Sequence, residues 1–121
     1  MVKRVFICSL PEGTDPDQFW DSYKAHATDV MTQTAGCGLK KYTINRVTGI
    51  VRGAPLFWGM SETWWESEEA ADKAFKGMKT AKLPNGMTFS EDFWSQICNG
   101  FSVEVEEFVV KELRSRQCII E

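Results

Sequence analysis

The sequence predicts a single α+β domain over residues 1–121, in which helices pack on one four-stranded antiparallel sheet. Three observations support this prediction. The chain has 121 residues, a length that fits one domain and not two. Strand-like and helix-like apolar patterns follow one another in the order β-α-β-β-α-(α)-β. Several of these segments are bounded by glycine, proline and asparagine, the residues that favour turns.

The first two elements are predicted by their ends as well as by their apolar patterns. Residues 2–10 are rich in β-branched and aromatic residues and stop at Pro11, as strands do. The segment from Asp15 offers a capping aspartate, then a proline, and a glutamine three positions after the cap. We therefore expect a helix from there to about Thr34, ended by Gly36.

Two strands are predicted in the middle of the chain. Residues 39–47 alternate so that Tyr42 and Ile44 share one face and Asn45 lies on the other. A loop with two glycines and a proline separates them from a strand over residues 56–65. Alternation in that strand places large side chains on both faces: Trp58, Met60 and Trp64 on one, Phe57 and Trp65 on the other.

The last part of the chain predicts two helices and a strand. Ser67, followed by two glutamates, caps the second helix. Residues 79–89 form a longer loop with a turn signal, and a short helix starts at Ser90 and ends at Asn99. Residues 101–113 complete the sheet as its fourth strand. The resulting order is that of the split βαβ, or ferredoxin-like, fold.

Composition argues against several classes of function. The net charge is −3 and the pI about 5.2, so neither a nucleic acid nor an anionic membrane is expected as a partner. No apolar run approaches the roughly 18 residues of a membrane span. The four cysteines are widely spaced, so we expect no metal site and a reduced, cytoplasmic protein. No nucleotide-binding or Ser-hydrolase motif is present, so we expect no cofactor.

Large apolar side chains are predicted on both faces of the sheet, although one face of an antiparallel sheet commonly meets water. The helices cover only one of these faces. We expect the same sheet of a second copy to cover the other. That arrangement would be a homodimer in which two sheets stack into an α+β barrel.

His26 is the only histidine. It falls on the apolar stripe of the first helix with Phe19, Tyr23 and Val30, so its side chain should face the sheet. An imidazole titrates near pH ~6.5 and can move a proton at neutral pH. The position is equally compatible with a partly buried structural histidine and with a general acid or base. Asp29, one position off the stripe, could orient the ring, although a solvated surface position is the simpler interpretation.

Three further polar residues are candidates. Glu62 lies between Met60 and Trp64 on a mostly apolar strand face, where a carboxylate is either paired or functional. Tyr42 and Asn45 are expected on opposite faces of their strand, so only one of them can enter a given pocket. For both, a structural role is the simpler interpretation.

Aromatic residues make up 12% of the chain and could either fill the core or line a pocket for a flat, apolar ligand. Four tryptophans could stack on such a ligand, although core filling is the safer interpretation for any one of them: Trp58, Trp64, Trp65 and Trp94. The short third helix carries Phe93 and Trp94 and could act as a lid.

Three segments resemble, in order, motifs of the EthD-like family. Residues 19–27 (FWDSYKAHA) resemble its F-x-x-Y/H-W-x-x-H-A/G-P helix, and residues 38–45 (GLKKYTIN) resemble its G-L-x-x-Y-x-x-N strand. Residues 62–70 (ETWWESEEA) resemble its E-x-W-F-D-S-x-E-A junction between a strand and a helix. The resemblance covers about residues 2–113.

This resemblance implies the dimeric α+β barrel superfamily, whose members are mostly homodimers with a pocket between helices and sheet in each subunit. It also implies a catalytic role for the histidine of the helix motif, here His26. The leading hypothesis is a cofactor-independent lyase, a decarboxylase or dehydratase, acting on an aromatic polyketide-like, phenolic or lactone substrate. The alternatives are a muconolactone-type isomerase or polyketide cyclase, a cofactor-free monooxygenase, a non-catalytic small-molecule-binding barrel and a haem-binding variant.

The hypothesis assigns roles to nine residues. The catalytic candidates are His26, which would transfer the proton, with Tyr42 and Glu62 polarising a carbonyl or phenol. The candidate substrate-binding residues are Tyr23, Asn45, Trp58, Trp64, Phe93 and Trp94.

Overall fold

The structure is a computed structural model, and it describes residues 1–34, 36–54 and 56–112. Seven elements follow the predicted order: β1 (Val2–Ser9), α1 (Pro16–Thr34), β2 (Leu39–Arg46), β3 (Gly59–Trp65), α2 (Glu68–Met78), α3 (Phe89–Trp94) and β4 (Cys98–Val105).

The four strands form one antiparallel sheet in the order β2-β3-β1-β4. This order confirms the predicted ferredoxin-like arrangement, because the two strands that follow helices flank the two central ones. A register shift between Ile7 and Ser9 marks the pairing of β1 with β4. β2 and β4 are the edge strands.

The predicted helix starts are confirmed by their hydrogen bonds. The Asp15 carboxylate accepts from the backbone N–H groups of Asp17 and Gln18, at 2.9 and 3.2 Å. Ser67 Oγ accepts from the backbone N–H of Ala70 at 3.1 Å. These side chains satisfy N–H groups that have no partner within the first turn of a helix.

The predicted boundaries of three elements are wrong. β3 begins at Gly59 rather than three residues earlier, and β4 begins at Cys98 and ends at Val105. α3 starts one residue earlier than predicted, because Thr88 Oγ1 accepts from the backbone N–H of Glu91 at 3.1 Å and caps it. The helix ends at Trp94, before the predicted end at Asn99. The predicted end of the fourth strand, residue 113, lies outside the described residues.

The pairing register defines which strand residues face the helices. Phe6 and Cys8 do so, since the Phe6 ring lies 5.4 Å from the Phe93 ring of α3 and Cys8 is buried in the same core cluster. Ser61 is paired with Phe6 and Gly59 with Cys8, so these residues share that face. Alternation puts the other residues of β3 on the face without helices: Met60, Glu62 and Trp64.

Two core clusters lie on the helix-covered face. One joins α1 and α3 to β1 and contains Phe19, Tyr23, Phe93 and Ile97. The other lies under α2 and is centred on Trp65, which is fully buried. A cavity lies between them.

Candidate functional site

The cavity encloses about 600 Å³ between the helix-facing side of the sheet and the three helices. All four strands and all three helices contribute residues to it. Aromatic and aliphatic side chains form one part of its wall, and polar and charged side chains form the rest; the first group includes Phe6, Val30, Trp65, Phe75, Phe89 and Phe93. A cavity of this size and lining is typical of a site for a small organic molecule.

His26 projects from α1 into this cavity, as the apolar stripe of the helix predicts. Its ring stacks on that of Phe93, with 4.5 Å between centroids and 18° between planes. Burial lowers the pKa of His26 below its ordinary value near 6.5, and the carboxylates of Asp92 and Asp29 partly oppose this shift. The imidazole is therefore neutral at pH 7 and has a free acceptor nitrogen for a proton.

Two tyrosines line the same cavity. Tyr23 is 1% exposed, and its hydroxyl oxygen has no hydrogen-bond partner in the part of the chain that the structure describes. Burial raises the pKa of Tyr23. The nearby Ser61 hydroxyl opposes this rise, but it forms no hydrogen bond of good geometry with the Tyr23 hydroxyl. Burial also raises the pKa of Tyr42 to about 12. Both phenols therefore stay protonated at neutral pH and can donate to a ligand.

A charged cluster lies at the end of the cavity below α2. Arg4 Nη2 donates to Asp72 Oδ1 at 2.7 Å, and Arg4 Nε donates to Glu104 Oε1 at 3.3 Å. The guanidinium also lies 5.4 Å from the centre of the Phe75 ring. Two carboxylates therefore pair with Arg4 at this end of the cavity, and both are partly exposed to solvent.

Three predicted site residues do not line this cavity: Glu62, Asn45 and Trp64. Their predicted place in one site with His26 is therefore wrong. Asn45 is paired with Met60 on the sheet face opposite the helices, and Glu62 and Trp64 share that face. Glu62 forms a 2.7 Å ion pair with Lys3 there. Tyr42 is the member of its strand that faces the cavity, because it is paired with the buried Thr63.

Trp58 also lies away from the cavity, although it is on the helix side of the sheet. Its ring packs edge-on against Phe19 at 5.1 Å and lies 6.1 Å from both Trp20 and Tyr23. Regular alternation would place it with Met60 on the other face. Trp58 does not follow that alternation because it precedes the first residue of β3. It therefore packs against the core under α1.

Phe93 and Trp94 differ in their environments, although both line the cavity. Phe93 is 8% exposed and contacts Phe6, Tyr23 and His26, so it is a core residue. Trp94 is 43% exposed and packs edge-on against Phe6 at 5.3 Å.

Sequence reasoning missed two residues of the cavity floor. Ser61 and Thr63 are buried on β3 and line the cavity. Thr63 Oγ1 accepts from Trp65 Nε1 at 2.8 Å, so the indole that closes one side of the cavity is oriented by the floor. The sequence feature that could have identified Ser61 and Thr63 is that they alternate onto the same strand face as Trp65.

The described residues contain no cluster of three or more His, Cys, Asp or Glu that could hold a metal ion. In the same residues, no helix is long and apolar enough to cross a membrane. Cys8, Cys37 and Cys98 are free thiols, and burial raises the pKa of the Cys8 thiol to about 11. A thiol with a raised pKa is a poor nucleophile.

No protein-family model matches the chain, and no curated protein gives a significant match. Solved structures do. A protein of Arabidopsis thaliana matches with a TM-score of 0.67 and 18% identity, over 93% of this chain and 100% of its own. An ethyl tert-butyl ether D (EthD) family protein of Bacillus halodurans matches with a TM-score of 0.64 and 20% identity, over 89% and 99%. The chain has a ferredoxin-like fold similar to that of this EthD family protein.

Other structures with this fold have more varied descriptions. A variant of SnoaB, a cofactor-independent oxygenase of Streptomyces nogalater, matches with a TM-score of 0.57 and 13% identity, over 99% of this chain and 97% of its own. Three further matches are dimeric proteins with a ferredoxin-like fold, at 9 to 14% identity. At these identities the similarity establishes the fold, and the predicted fold class is confirmed.

Proposed function

We propose that the chain is a cofactor-independent lyase, a decarboxylase or dehydratase, that acts on a phenolic or aromatic polyketide-like molecule in the 600 Å³ cavity. One observation carries the proposal. A neutral imidazole and two protonated phenols line one cavity, whose wall also contains several aromatic side chains. That combination can accept a proton from a ligand and stabilise the negative charge that the loss of the proton creates.

In a dehydration, a ring nitrogen of His26 removes the proton on the carbon next to a carbonyl. The electron pair of that C–H bond moves onto the carbonyl oxygen, where the hydroxyls of Tyr42 and Tyr23 donate hydrogen bonds. The enolate then expels hydroxide from the neighbouring carbon, and the hydroxide takes the proton from the imidazolium and leaves as water. Phe89 and Phe93 are buried beside the imidazole and reduce its contact with water, which strengthens these interactions.

In a decarboxylation, the neutral His26 takes the proton of the substrate carboxylic acid. The C–C bond to the carboxylate breaks, its electron pair moves onto the same carbonyl oxygen, and carbon dioxide leaves. The imidazolium returns its proton to the carbon. One histidine and one set of phenol donors therefore serve both reactions.

The test compares product masses from wild type, His26→Ala and Tyr42→Phe, incubated with phenolic acids, anthrones and unsaturated lactones. Removal of a general acid or base typically lowers turnover about 10²–10⁴-fold, which we expect for His26→Ala. Asn45→Ala is the matched control, because it shortens a polar side chain of the same strand on the opposite sheet face. Full turnover by a folded His26→Ala variant would contradict the proposal, and ligand binding without any product would favour a binding protein.

A cofactor-independent oxygenase is the second candidate, because SnoaB shares this fold. In that case a carbanion or phenolate formed by His26 would react with molecular oxygen. The same incubations without oxygen separate the two candidates. A lyase keeps its full rate under anaerobic conditions and releases carbon dioxide or water, whereas an oxygenase stops and its product gains oxygen.

We also propose a homodimer formed through the sheet face that the helices leave uncovered. Phe101, on the edge strand β4, is paired with Ile7 on that face and is 49% exposed. Solved structures with this fold include several dimeric proteins. Light scattering on the purified chain should give twice the 13.8 kDa mass of one copy. Phe101→Lys should lower the measured mass toward that of one copy, whereas Met31→Lys on the exposed side of α1 should leave it unchanged. A wild-type monomer at micromolar concentration would contradict this proposal.

A further inference from the structure

A second, smaller cavity lies on the outer side of His26. It encloses about 210 Å³ between α1, α3 and the loop that precedes α3. Four side chains line both cavities and form the wall between them: Tyr23, His26, Phe89 and Phe93. The imidazole can therefore be reached from two sides, from the large cavity and from this outer cavity.

The outer cavity has polar groups close to His26. Two carboxylates line it, Asp29 from α1 and Asp92 from α3, together with Gln96 and Ser22. Its volume exceeds the roughly 30 Å³ that one water molecule occupies in the liquid, and these groups offer the several polar partners that an ordered water needs.

Asp92 is held more firmly than Asp29. Its Oδ1 accepts from Asn85 Nδ2 at 3.1 Å, and its Oδ2 accepts from Gln96 Nε2 at 3.4 Å. Asp92 is half-buried, whereas Asp29 is exposed and lies three residues after His26 on the same helix. A half-buried charge is screened less by salt than an exposed one.

The remaining charged groups around His26 lie on the inner cavity. Those contributed by the sheet and by α2 comprise three cations and three carboxylates: Arg4, Lys76, Lys79, Glu68, Asp72 and Glu104. Among the described residues that line the two cavities, the remaining titratable groups are the phenols of Tyr23 and Tyr42, which are neutral at pH 7. Asp92 and Asp29 are the two charged groups that act on the imidazole through space.

We infer that the outer cavity is the side on which His26 exchanges its proton with solvent, and that Asp92 is a positioning residue that favours the imidazolium during this exchange. The inference rests on the proposed acid-base role of His26. A proton taken from the substrate on the inner side forms the imidazolium. While the ring is charged, the proton on the second ring nitrogen exchanges with water in the outer cavity, Asp92 stabilises the charge, and the inner nitrogen then returns its proton to the leaving hydroxide or to the carbon.

The test is a titration of His26 followed by NMR on protein labelled with ¹⁵N in histidine. Because the chain has one histidine, its two ring nitrogens give an unambiguous pKa and tautomer. We expect Asp92→Asn to lower the pKa of His26, Asp29→Asn to lower it by less, and the double variant to lower it most. The Asp92→Asn shift should persist at high salt, while the Asp29→Asn shift should shrink.

Asp21→Asn is the matched control, because it removes the same charge from an exposed position on α1 that lines neither cavity. Gln96→Ala keeps the charge of Asp92 and removes one donor that holds it, so a folded Gln96→Ala variant should alter the tautomer ratio more than the pKa. An unchanged His26 titration in folded Asp92→Asn protein would overturn the inference. So would an Asp21→Asn shift as large as that of Asp92→Asn.

The titration and the turnover measurements distinguish a failure of this inference from a failure of the proposed function. If Asp92→Asn shifts the His26 titration and His26→Ala keeps full turnover, the electrostatic coupling stands, while the catalytic role fails and the inferred exchange with it. If His26→Ala abolishes turnover and Asp92→Asn leaves the titration unchanged, the function stands and the inference fails. With a substrate in hand, Asp92→Asn should also move the acidic limb of the kcat/KM profile to lower pH, which a purely structural role would not do.

Discussion

Replacing Gly38 by alanine tests how closely β2 approaches α2. Gly38 has a φ of +88°, and a Cβ at this position would lie 2.9 Å from Ala70 Cβ and 3.3 Å from Glu66 Cβ. Both neighbours are fixed. The Glu66 backbone N–H donates to the Gly38 carbonyl at 2.8 Å, and Ala70 lies in the capped first turn of α2. The new methyl group therefore requires a backbone movement at the junction that leads into Tyr42.

The expected loss has two parts. A residue with a Cβ in the left-handed region costs roughly 1–2 kcal/mol, and overpacking against fixed atoms costs roughly 1–3 kcal/mol more. Gly38→Ala should therefore lower the free energy of unfolding by about 2–5 kcal/mol. Gly36 has a φ of +80° and open space around its Cβ position, so Gly36→Ala should lose only the first part. Gly77 in α2 has open space and no positive φ, so Gly77→Ala should gain about 0.5–1 kcal/mol.

Urea unfolding followed by tryptophan fluorescence gives all three values by linear extrapolation. The double variant Gly38→Ala/Ala70→Gly removes the Cβ–Cβ contact and should be more stable than the sum of its single changes predicts, by about 1 kcal/mol or more. Equal losses for Gly38→Ala and Gly36→Ala, with additive behaviour of the double variant, would refute the close approach between β2 and α2.

Three further predictions concern stability. Phe93→Leu should lower the unfolding free energy by about 1–3 kcal/mol in urea titrations, because the buried ring contacts several aromatic side chains; a loss below ~0.5 kcal/mol would place the ring outside the core. The unfolding free energy of wild type should fall as pH drops below about 6.5, because burial lowers the pKa of His26 and the unfolded chain then binds the proton more readily. His26→Gln should abolish this part of the pH dependence. Parallel curves of stability against pH for the two proteins would argue against this. Asp15→Ala should lower the unfolding free energy by about 1 kcal/mol through the lost cap, and Asp21→Ala, which caps nothing, should lower it much less in the same urea titrations.

The parts of the fold that were predicted are those encoded in local sequence. Asp15 and Ser67 mark helix starts because their side chains satisfy nearby backbone N–H groups, and such pairs are close in sequence. The strand order followed from the sequence of elements. The position of His26 in the cavity followed from the 3.6-residue period of α1, which sets the direction of a helical side chain.

The parts that were not predicted depend on pairing between distant strands. Alternation shows that Tyr42 and Asn45 point in opposite directions, but only the register with β3 shows which direction leads to the helices. Glu62 has the same ambiguity, and its partner Lys3 is 59 positions away in sequence. Trp58 was misplaced because alternation was extended beyond the residue at which β3 begins.

The cavity itself follows from a size difference between the two faces of β3. Its helix-facing residues before Trp65 are Gly59, Ser61 and Thr63, whereas its other face carries Met60, Glu62 and Trp64. Small residues under α1 and α2 leave space that the helices cannot fill, because Phe93 and Trp65 already hold the two core clusters apart. β3 thus carries small side chains on the face that lines the cavity and large side chains on the face proposed to pack against a second copy. The candidate chemistry and the candidate subunit contact are separated by the thickness of one sheet, so each can be altered by substitutions that leave the other face unchanged.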